Sequence, residues 1–418
     1  MAASLKSRLA RLREGGAAGH PPPLRADTPP QSDAPPQASG SGSPPNRPPP
    51  AFLSSWERID AFLFRRTCYF PFRLDPSFDA LPFVVRLGRG DAPSDFLPVV
   101  GRRPADSLRF FDFETTGLSG GAGTIAFLAA TGRLEDGMLR IDQLFLGDYP
   151  GEAAFIRAFV ATLGEKPILV SYNGKSFDWP LLATRCVMNG ILVPEIDLHL
   201  DLVHTARRLW RPLVGSASLG DLEVPILGKD RGADLPGSEI PAVYFSYLAG
   251  GDDERLELVA LHNLSDVASL AALFAKASEL FAEPLAGLGR IPADCRNLGR
   301  IMLACGREDR GEALLWEAAT KGDEGAALSL ARRLRRKGEP KDARRALGLA
   351  GNTYERHLES ARLSETLEGD LGAALHSAET AVAVTNNEGA KNRALARVRR
   401  LSLRFAEASR GRPGRTRS

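Results

Sequence analysis

The chain has 418 residues, more than the roughly 100–200 typical of one domain, so two folded units are expected. Lys plus Arg total 54 against 51 Asp plus Glu, a net charge of +3 that does not by itself mark a nucleic-acid binder, and no uninterrupted apolar run is long enough to span a bilayer. The four cysteines, Cys68, Cys186, Cys295 and Cys305, form no CxxC pair, which argues against a zinc ribbon and a dense disulfide framework; with charges in MAASLKSRLARLREGG where a secretory signal needs apolar residues, a cytoplasmic protein without a membrane partner is expected.

Residues 1–50 read as a disordered Pro-rich leader, because 15–50 is dominated by Pro, Gly, Ala and Ser and lacks the apolar residues that offset the cost of ordering a backbone. Within that leader, Leu5, Leu9 and Leu12 share one side of a short basic helix. Aromatic residues return over 51–107, in AFLFRRTCYFPF and LPFVVRLG, and this stretch is expected to be a lead-in subdomain.

Over 108–282 strands and helices alternate. LRFFDFET, TIAFLAATGRL and LRIDQLFLGDY predict three consecutive strands separated by Gly-containing turns. EAAFIRAFVATL has apolar residues at helical spacing, KPILVSYN predicts a further buried strand, and helices are predicted to start near Asp178 and Leu256. The order implies an α/β fold with a mixed sheet flanked by helices.

Residues 288–388 change to an all-α pattern rich in Ala, Leu and Arg. Gly306, Gly322, Gly338 and Gly369 fall at predicted helix ends, spaced by 16, 16 and 31 residues. Two helices then make a repeat of about 32 residues, close to the roughly 34 of tetratricopeptide arrays. A plain helical bundle is the other reading, and either offers a surface to a protein partner. Arg332, Arg333, Arg335 and Arg336 cluster in ARRLRRK, and 389–418 forms a basic C-terminal tail with ten Lys or Arg and one acid, Glu407, suited to polyanions.

Chemistry is suggested at three places. Alternate side chains of a strand face one way, so Asp112 and Glu114 share a face opposite Phe111 and Phe113. Two like charges that close call for a cation or a shared proton, and hard oxygen donors suit Mg²⁺ or Mn²⁺; a solvated strand face is the alternative. Asp178 opens a helix in SYNGKSFDWPLL, where it is either a cap or a further metal ligand. The GKS there is not a phosphate loop, because GxxxxGK[ST] needs Gly where Leu169 stands. In LVALHNLSDVASLAALF, His262 and Asp266 lie one helical turn apart, with Leu264, Val267 and Leu270 predicted toward the core.

The succession of DxE, N-x(3)-FD and H-x(3)-D resembles the DEDD group of 3′–5′ exonucleases, built on a ribonuclease H-like fold. ETTGLSGGAGTIAFL, NGKSFDWPLL, DLVHTARRLWR, SASLGDLE, PGSEIPAVYFSYL and HNLSDVASL are similar to the bacterial YprB-like branch of ribonuclease H-like proteins, over about 110–280. Members of that branch often carry a tetratricopeptide-like C-terminal region. The resemblance implies that Asp112, Glu114, Asp178 and Asp266 hold two divalent metal ions, Mg²⁺ or Mn²⁺, and that His262 is the general base. Where the His-containing branch has H-x(4)-D, this chain has x(3), the spacing at which another branch places Tyr.

Substrate contacts are expected from Thr115, Thr116, Gly117 and Leu118 after the first acids, and from Asn173 in the second motif, which is expected chiefly to orient its turn. Arg207, Arg208 and Arg211 beside Trp210 offer phosphate contact with base stacking, or a solvated face with Trp210 in the core. Asp201 and His204 are expected to have packing and hydrogen-bonding roles. SASLGDLEVPILGKDRGADLPGSEIP reads as a long loop over the site mouth, with Lys229 and Arg231 guiding a phosphate chain. The function expected is a two-metal 3′–5′ exonuclease acting on a single-stranded DNA or RNA end. The alternatives are a catalytically weak nucleic-acid-binding scaffold and a structure-selective endonuclease.

Overall fold

The computed structural model describes residues 51–85, 101–117, 123–230, 232, 235–250 and 254–410. The expected leader, Leu118, Arg231 and the end of the tail, 411–418, lie outside the described residues.

The centre of the fold is a seven-stranded sheet. Its strands are β1 (Glu57–Asp60), β2 (Leu63–Pro71), β5 (Leu108–Thr115), β6 (Ala126–Glu135), β7 (Met138–Leu146), β8 (Ile168–Ser171) and β9 (Leu198–Asp201), and a separate ribbon pairs β3 (Ser77–Asp79) with β4 (Arg102–Pro104). The order is β1-β2-β7-β6-β5-β8-β9, antiparallel as far as β5 and parallel from β5 through β8 to β9. β6 and β7 are joined through Asp136 and Gly137, both at positive φ, as a two-residue hairpin turn matched to strand twist requires.

The strands expected in LRFFDFET, TIAFLAATGRL and LRIDQLFLGDY are present, and the helix expected from EAAFIRAFVATL spans Glu152–Leu163. Two features differ from the sequence reading. Of the expected lead-in subdomain, 51–85 and 101–107 are described, and its β2 pairs with β7 along nine residues, extending the main sheet. The strand β9, LHLD, is too short and too polar to show alternation, and exists because β8 offers it a parallel edge.

Apolar side chains fill both faces of the sheet. Phe111 and Phe113 pack with Phe155 and Phe159 on one face. On the other, Leu108 and Phe110 pack beneath Val267, Leu270 and Phe274 of the long helix Arg255–Ala282, with Trp210 in the same core. Gly132 of β6 lets that helix come close, since a Cβ there would lie 2.9 Å from Val267 Cγ1. Arg255–Ala282 is the one helix among the described residues long and apolar enough to cross a membrane, and more than half of its apolar window is buried within this fold.

Beyond Leu288 the chain is helical, as expected. Cys295–Ala304 and Glu308–Thr320, then Glu324–Lys337 and Pro340–Gly348, then Tyr354–Leu363 and Leu371–Val384 form successive pairs, closed by Glu388–Arg410. Gly306, Gly322, Gly338 and Gly369 all have positive φ and end helices, the conformation Gly adopts at least cost. Leu298, Ile301, Met302 and Leu314 join the core of the sheet domain. Residues 389–410 are not an unpaired tail but part of the last helix. Ala390, Ala394 and Leu401 are buried, while Arg397, Arg400 and Arg404 converge on Glu365.

Candidate active site

Asp112 and Glu114 project from the same face of β5 toward its carboxyl end, where β8 and β9 also end in parallel. In open α/β sheets this end collects ligands, because several connections leave the sheet there and open a crevice. The long helix crosses the same face and brings His262, Asn263 and Asp266 down to the acids. His262 Nε2 stands 3.9 Å from Glu114 Oε1 and 3.6 Å from Asp266 Oδ2. These three side chains are 16, 13 and 18% exposed, so they border solvent from a largely desolvated position.

Asp178, the first residue of the helix Asp178–Met188, completes the group. Gly174 makes room for it: a Cβ there would lie 2.7 Å from Asp178 Oδ2 and from Ser171 Cβ. The electrostatics follow from the gathering. Burial pushes the Asp112 carboxyl well above the usual carboxylate range, Asp266, Glu114 and Asp178 push it further, and a hydrogen bond from Asn263 opposes the shift. Burial and then Asp201 push Asp178 up to about 7.

This donor set fits a divalent cation: four carboxylates, hard oxygen donors, of which Asp112 and Asp178 are costly to leave ionised beside the others. The set is gathered rather than closed, for among the described residues no three His, Cys, Asp or Glu side chains form a ready-made metal cage.

Several residues that shape the site were not singled out from the sequence. Arg66, Gln143, Ala130 and Asp112 lie in one row across β2, β7, β6 and β5. The small Ala130 leaves space above the row, into which Asn263 descends. Asn263 Nδ2 donates to Asp112 Oδ2 at 2.9 Å, and Gln143 Nε2 donates to Asn263 Oδ1 at 3.1 Å and to the Ala260 carbonyl at 2.8 Å. Arg66 in turn donates to Gln143 Oε1 at 2.8 Å and to Glu257 Oε1 at 2.8 Å. A polar chain thus runs from β2 to the central acid. Only the Asn next to His262 was visible in sequence, without its partner.

Asp201 caps the helix Leu202–Leu209 and accepts from the amides of Asn173 at 2.7 Å, Lys175 at 3.2 Å and Val203 at 3.2 Å. Asn173 sits in the left-handed region at φ 67°. It forms the turn between β8 and Asp178, held through its backbone. His204 is exposed on the same helix. His199, buried beside Ser171 Oγ at 2.8 Å, is pushed down to about 4 by burial and Lys175, so it stays neutral.

The expected substrate contacts divide. Thr115 Oγ1 donates to the Gly117 carbonyl at 2.8 Å; Thr116 exchanges hydrogen bonds with Ile125 through both its amide and its hydroxyl. These bonds tie the residues after β5 to Ile125, just before β6. Arg208 donates to the Val85 carbonyl at 2.8 Å and Trp210 is fully buried, so this pair serves packing rather than phosphate contact and base stacking. Arg207 and Arg211 are exposed. The segment from Ser216 is less loop-like than expected: Leu219–Leu222 and Glu223–Leu227 are helical turns, anchored by buried Leu222 and Ile226. Lys229 donates to Ser265 Oγ at 2.6 Å and Ser269 Oγ at 3.0 Å and stands 3.6 Å from the buried Glu223, which fixes its ammonium one residue from Asp266.

Residues 109–278 match the RNase_H superfamily. The uncharacterized protein YprB of Bacillus subtilis (strain 168) is 36% identical over 200 residues, 47% of this chain and 48% of that protein, so the chain spans about half the length of this curated relative. Among solved structures, the family B DNA polymerase of the hyperthermophilic archaeon Pyrobaculum calidifontis is 17% identical with a TM-score of 0.33, over 48% of this chain and 28% of that one. E. coli Exonuclease I in complex with a 5cy-dT13 oligonucleotide is 14% identical with a TM-score of 0.25, over 43% and 41%. With its mixed sheet, flanking helices and superfamily match, the 109–278 segment is a ribonuclease H-like domain, joined here to a C-terminal helical region.

Proposed function

We propose that the chain is a metal-dependent nuclease that removes nucleotides from the 3′ end of a single-stranded nucleic acid, DNA or RNA, in the cytoplasm, where its cysteines stay free. The observation that carries this reading is the convergence of Asp112, Glu114, Asp178 and Asp266 with His262 at the carboxyl end of the parallel strands. Asp112, Glu114, Asp178 and Asp266 would hold two divalent ions, Mg²⁺ or Mn²⁺. When bound, such ions supply Lewis-acid activation of water and charge stabilisation at the leaving oxygen.

The protein's own residues do the rest. His262, 3.9 Å from Glu114 and 3.6 Å from Asp266, is placed to take the proton from the attacking water. Asn263 fixes the orientation of Asp112, and the Asp201-bound turn fixes Asp178. Phe177, 52% exposed immediately before Asp178, offers a face for a base to stack on. The helical region, read as tetratricopeptide-like, presents a surface for a protein partner.

The test is incubation of the purified chain with Mn²⁺ or Mg²⁺ on 3′- and 5′-labelled single-stranded DNA and RNA, beside Asp112→Asn. A ladder shortening from the 3′ end, absent with EDTA and in the variant, supports the reading and reveals the preferred sugar. Cutting of circular or end-blocked strands means an endonuclease. Binding without cleavage means a scaffold.

A further inference from the structure

The helices Cys295–Ala304, Glu324–Lys337 and Tyr354–Leu363 each begin one of three successive helix pairs, and together they border a cavity of ≈470 Å³. Six guanidinium groups line it: Arg296, Arg300, Arg332, Arg335, Arg336 and Arg362. The lining holds two carboxylates, Glu355 and Glu359. With Asp323 pairing Arg296 from beside the lining, the guanidiniums still outnumber the carboxylates by three.

The internal pairing makes the imbalance plain. Glu359 is 1% exposed and is shared by three guanidiniums, accepting from Arg335 Nε at 2.5 Å and Arg362 Nη1 at 3.1 Å with Arg332 Nε at 3.8 Å. One buried carboxylate orders this wall without neutralising it. Across the groove, Arg296 Nη1 donates to Asp323 Oδ1 at 3.1 Å and lies so close over Gly325 that a Cβ there would strike it. Side chains held in this way are oriented before any ligand arrives, which lowers the entropy cost of binding.

The composition of the groove selects its ligand. Planar guanidiniums match phosphate oxygens in paired hydrogen bonds, and several of them along successive helices match a repeating anion better than an isolated one. Leu328 is the only hydrophobic side chain in the lining and no aromatic residue is present, so the groove offers neither a stacking platform nor pockets for peptide side chains. We infer that the arginine groove of the helical region binds the sugar-phosphate backbone of a single-stranded nucleic acid, without base selectivity, as a second contact for the strand whose end enters the acid cleft. The inference rests on the nuclease reading, which supplies the nucleic acid.

The experiment measures fluorescence anisotropy of a labelled single strand with the full chain, carrying Asp112→Asn so that the strand survives, across a salt series. The groove variants are Arg332→Gln/Arg336→Gln and, on another helix, Arg296→Gln/Arg300→Gln, with Arg332→Lys/Arg336→Lys as the charge-keeping control. Each Gln pair is expected to weaken binding by about tenfold at low salt and to flatten the log–log salt slope by about 1.4, since each phosphate contact on a single strand contributes about 0.7. The Lys pair keeps most of that slope. Melting temperatures within a few degrees of the parent show that the fold is intact.

Unchanged affinity and slope in both Gln pairs overturn the inference. So does polyglutamate that displaces the strand as well as an unlabelled oligonucleotide, which assigns the groove to an acidic protein. Cleavage by the Asp112 parent separates the two readings. A flattened slope without any cleavage keeps the groove and removes the nuclease, whereas cleavage with unchanged binding keeps the nuclease and removes the groove.

Discussion

Asn263 Nδ2 donates to Asp112 Oδ2 at 2.9 Å, and the same amide nitrogen reaches the Asp112 carbonyl at 3.2 Å. One residue of the long helix thus clamps both ends of the central acid. Asn263→Ala is expected to lower cleavage of a labelled strand about 10–100-fold, the range for residues that orient metal ligands, and to raise the Mn²⁺ concentration needed for half-maximal rate. Asn263→Asp should be worse, because it adds a fifth carboxylate. Parental activity and metal response in Asn263→Ala would show that Asp112 needs no such clamp.

Gly174 is expected to be irreplaceable by even one carbon. A methyl group there meets Asp178 Oδ2 and Ser171 at 2.7 Å, with Ser171 rooted in β8. Asp178 has to move, and Gly174→Ala should lose most of its cleavage while circular dichroism still reports a folded protein. Full activity would mean that Asp178 is not needed where it stands.

The acids also set a pH dependence of stability. Asp112 and Asp178 have folded-state affinities for protons above those of the unfolded chain, Asp178 at about 7. These two acids therefore bind more protons in the folded state between about pH 4 and 7, and their contribution to stability falls as pH rises through that window. His199, held down to about 4 by burial and Lys175, acts in the opposite sense, as do Glu312 and Glu365, whose burial is outweighed by their Arg partners. Relative to the parent chain in EDTA, Asp112→Asn and added Mn²⁺ should each move the pH dependence of the melting temperature toward greater stability at pH 8 relative to pH 5.5. A pH dependence in EDTA that Asp112→Asn leaves unchanged would contradict this.

The three arginines of ARRLWR should separate by experiment. Arg208 is tied to the Val85 carbonyl, so Arg208→Ala should cost about 1–2 kcal/mol of stability and leave strand affinity unchanged once folding is allowed for. Arg207→Ala/Arg211→Ala should do the reverse, since both are exposed. Chemical denaturation and anisotropy on the same preparations check both.

The acid motifs were legible because each depends on local spacing. Alternation on β5 puts Asp112 and Glu114 on one face, and one helical turn separates His262 from Asp266 wherever those elements lie. The positive-φ glycines that end the C-terminal helices were legible for the same reason. Strand β9 and the attachment of β2 were not, since each exists through a partner strand distant in sequence.

By itself, the sequence determined the order of elements and the residue types available for chemistry: four acids, a histidine and a run of arginines. Only the tertiary structure decided which of them come together. Register across four strands aligns Arg66, Gln143, Ala130 and Asp112, and helix packing over Gly132 brings Asn263 into that row. Burial then removes Trp210 from the surface and a hydrogen bond to Val85 ties down the half-buried Arg208, while helix pairing turns separate arginines into one groove. The physical reason is that register, burial and the desolvation that shifts a carboxyl group belong to contacts between distant segments, which local spacing does not encode.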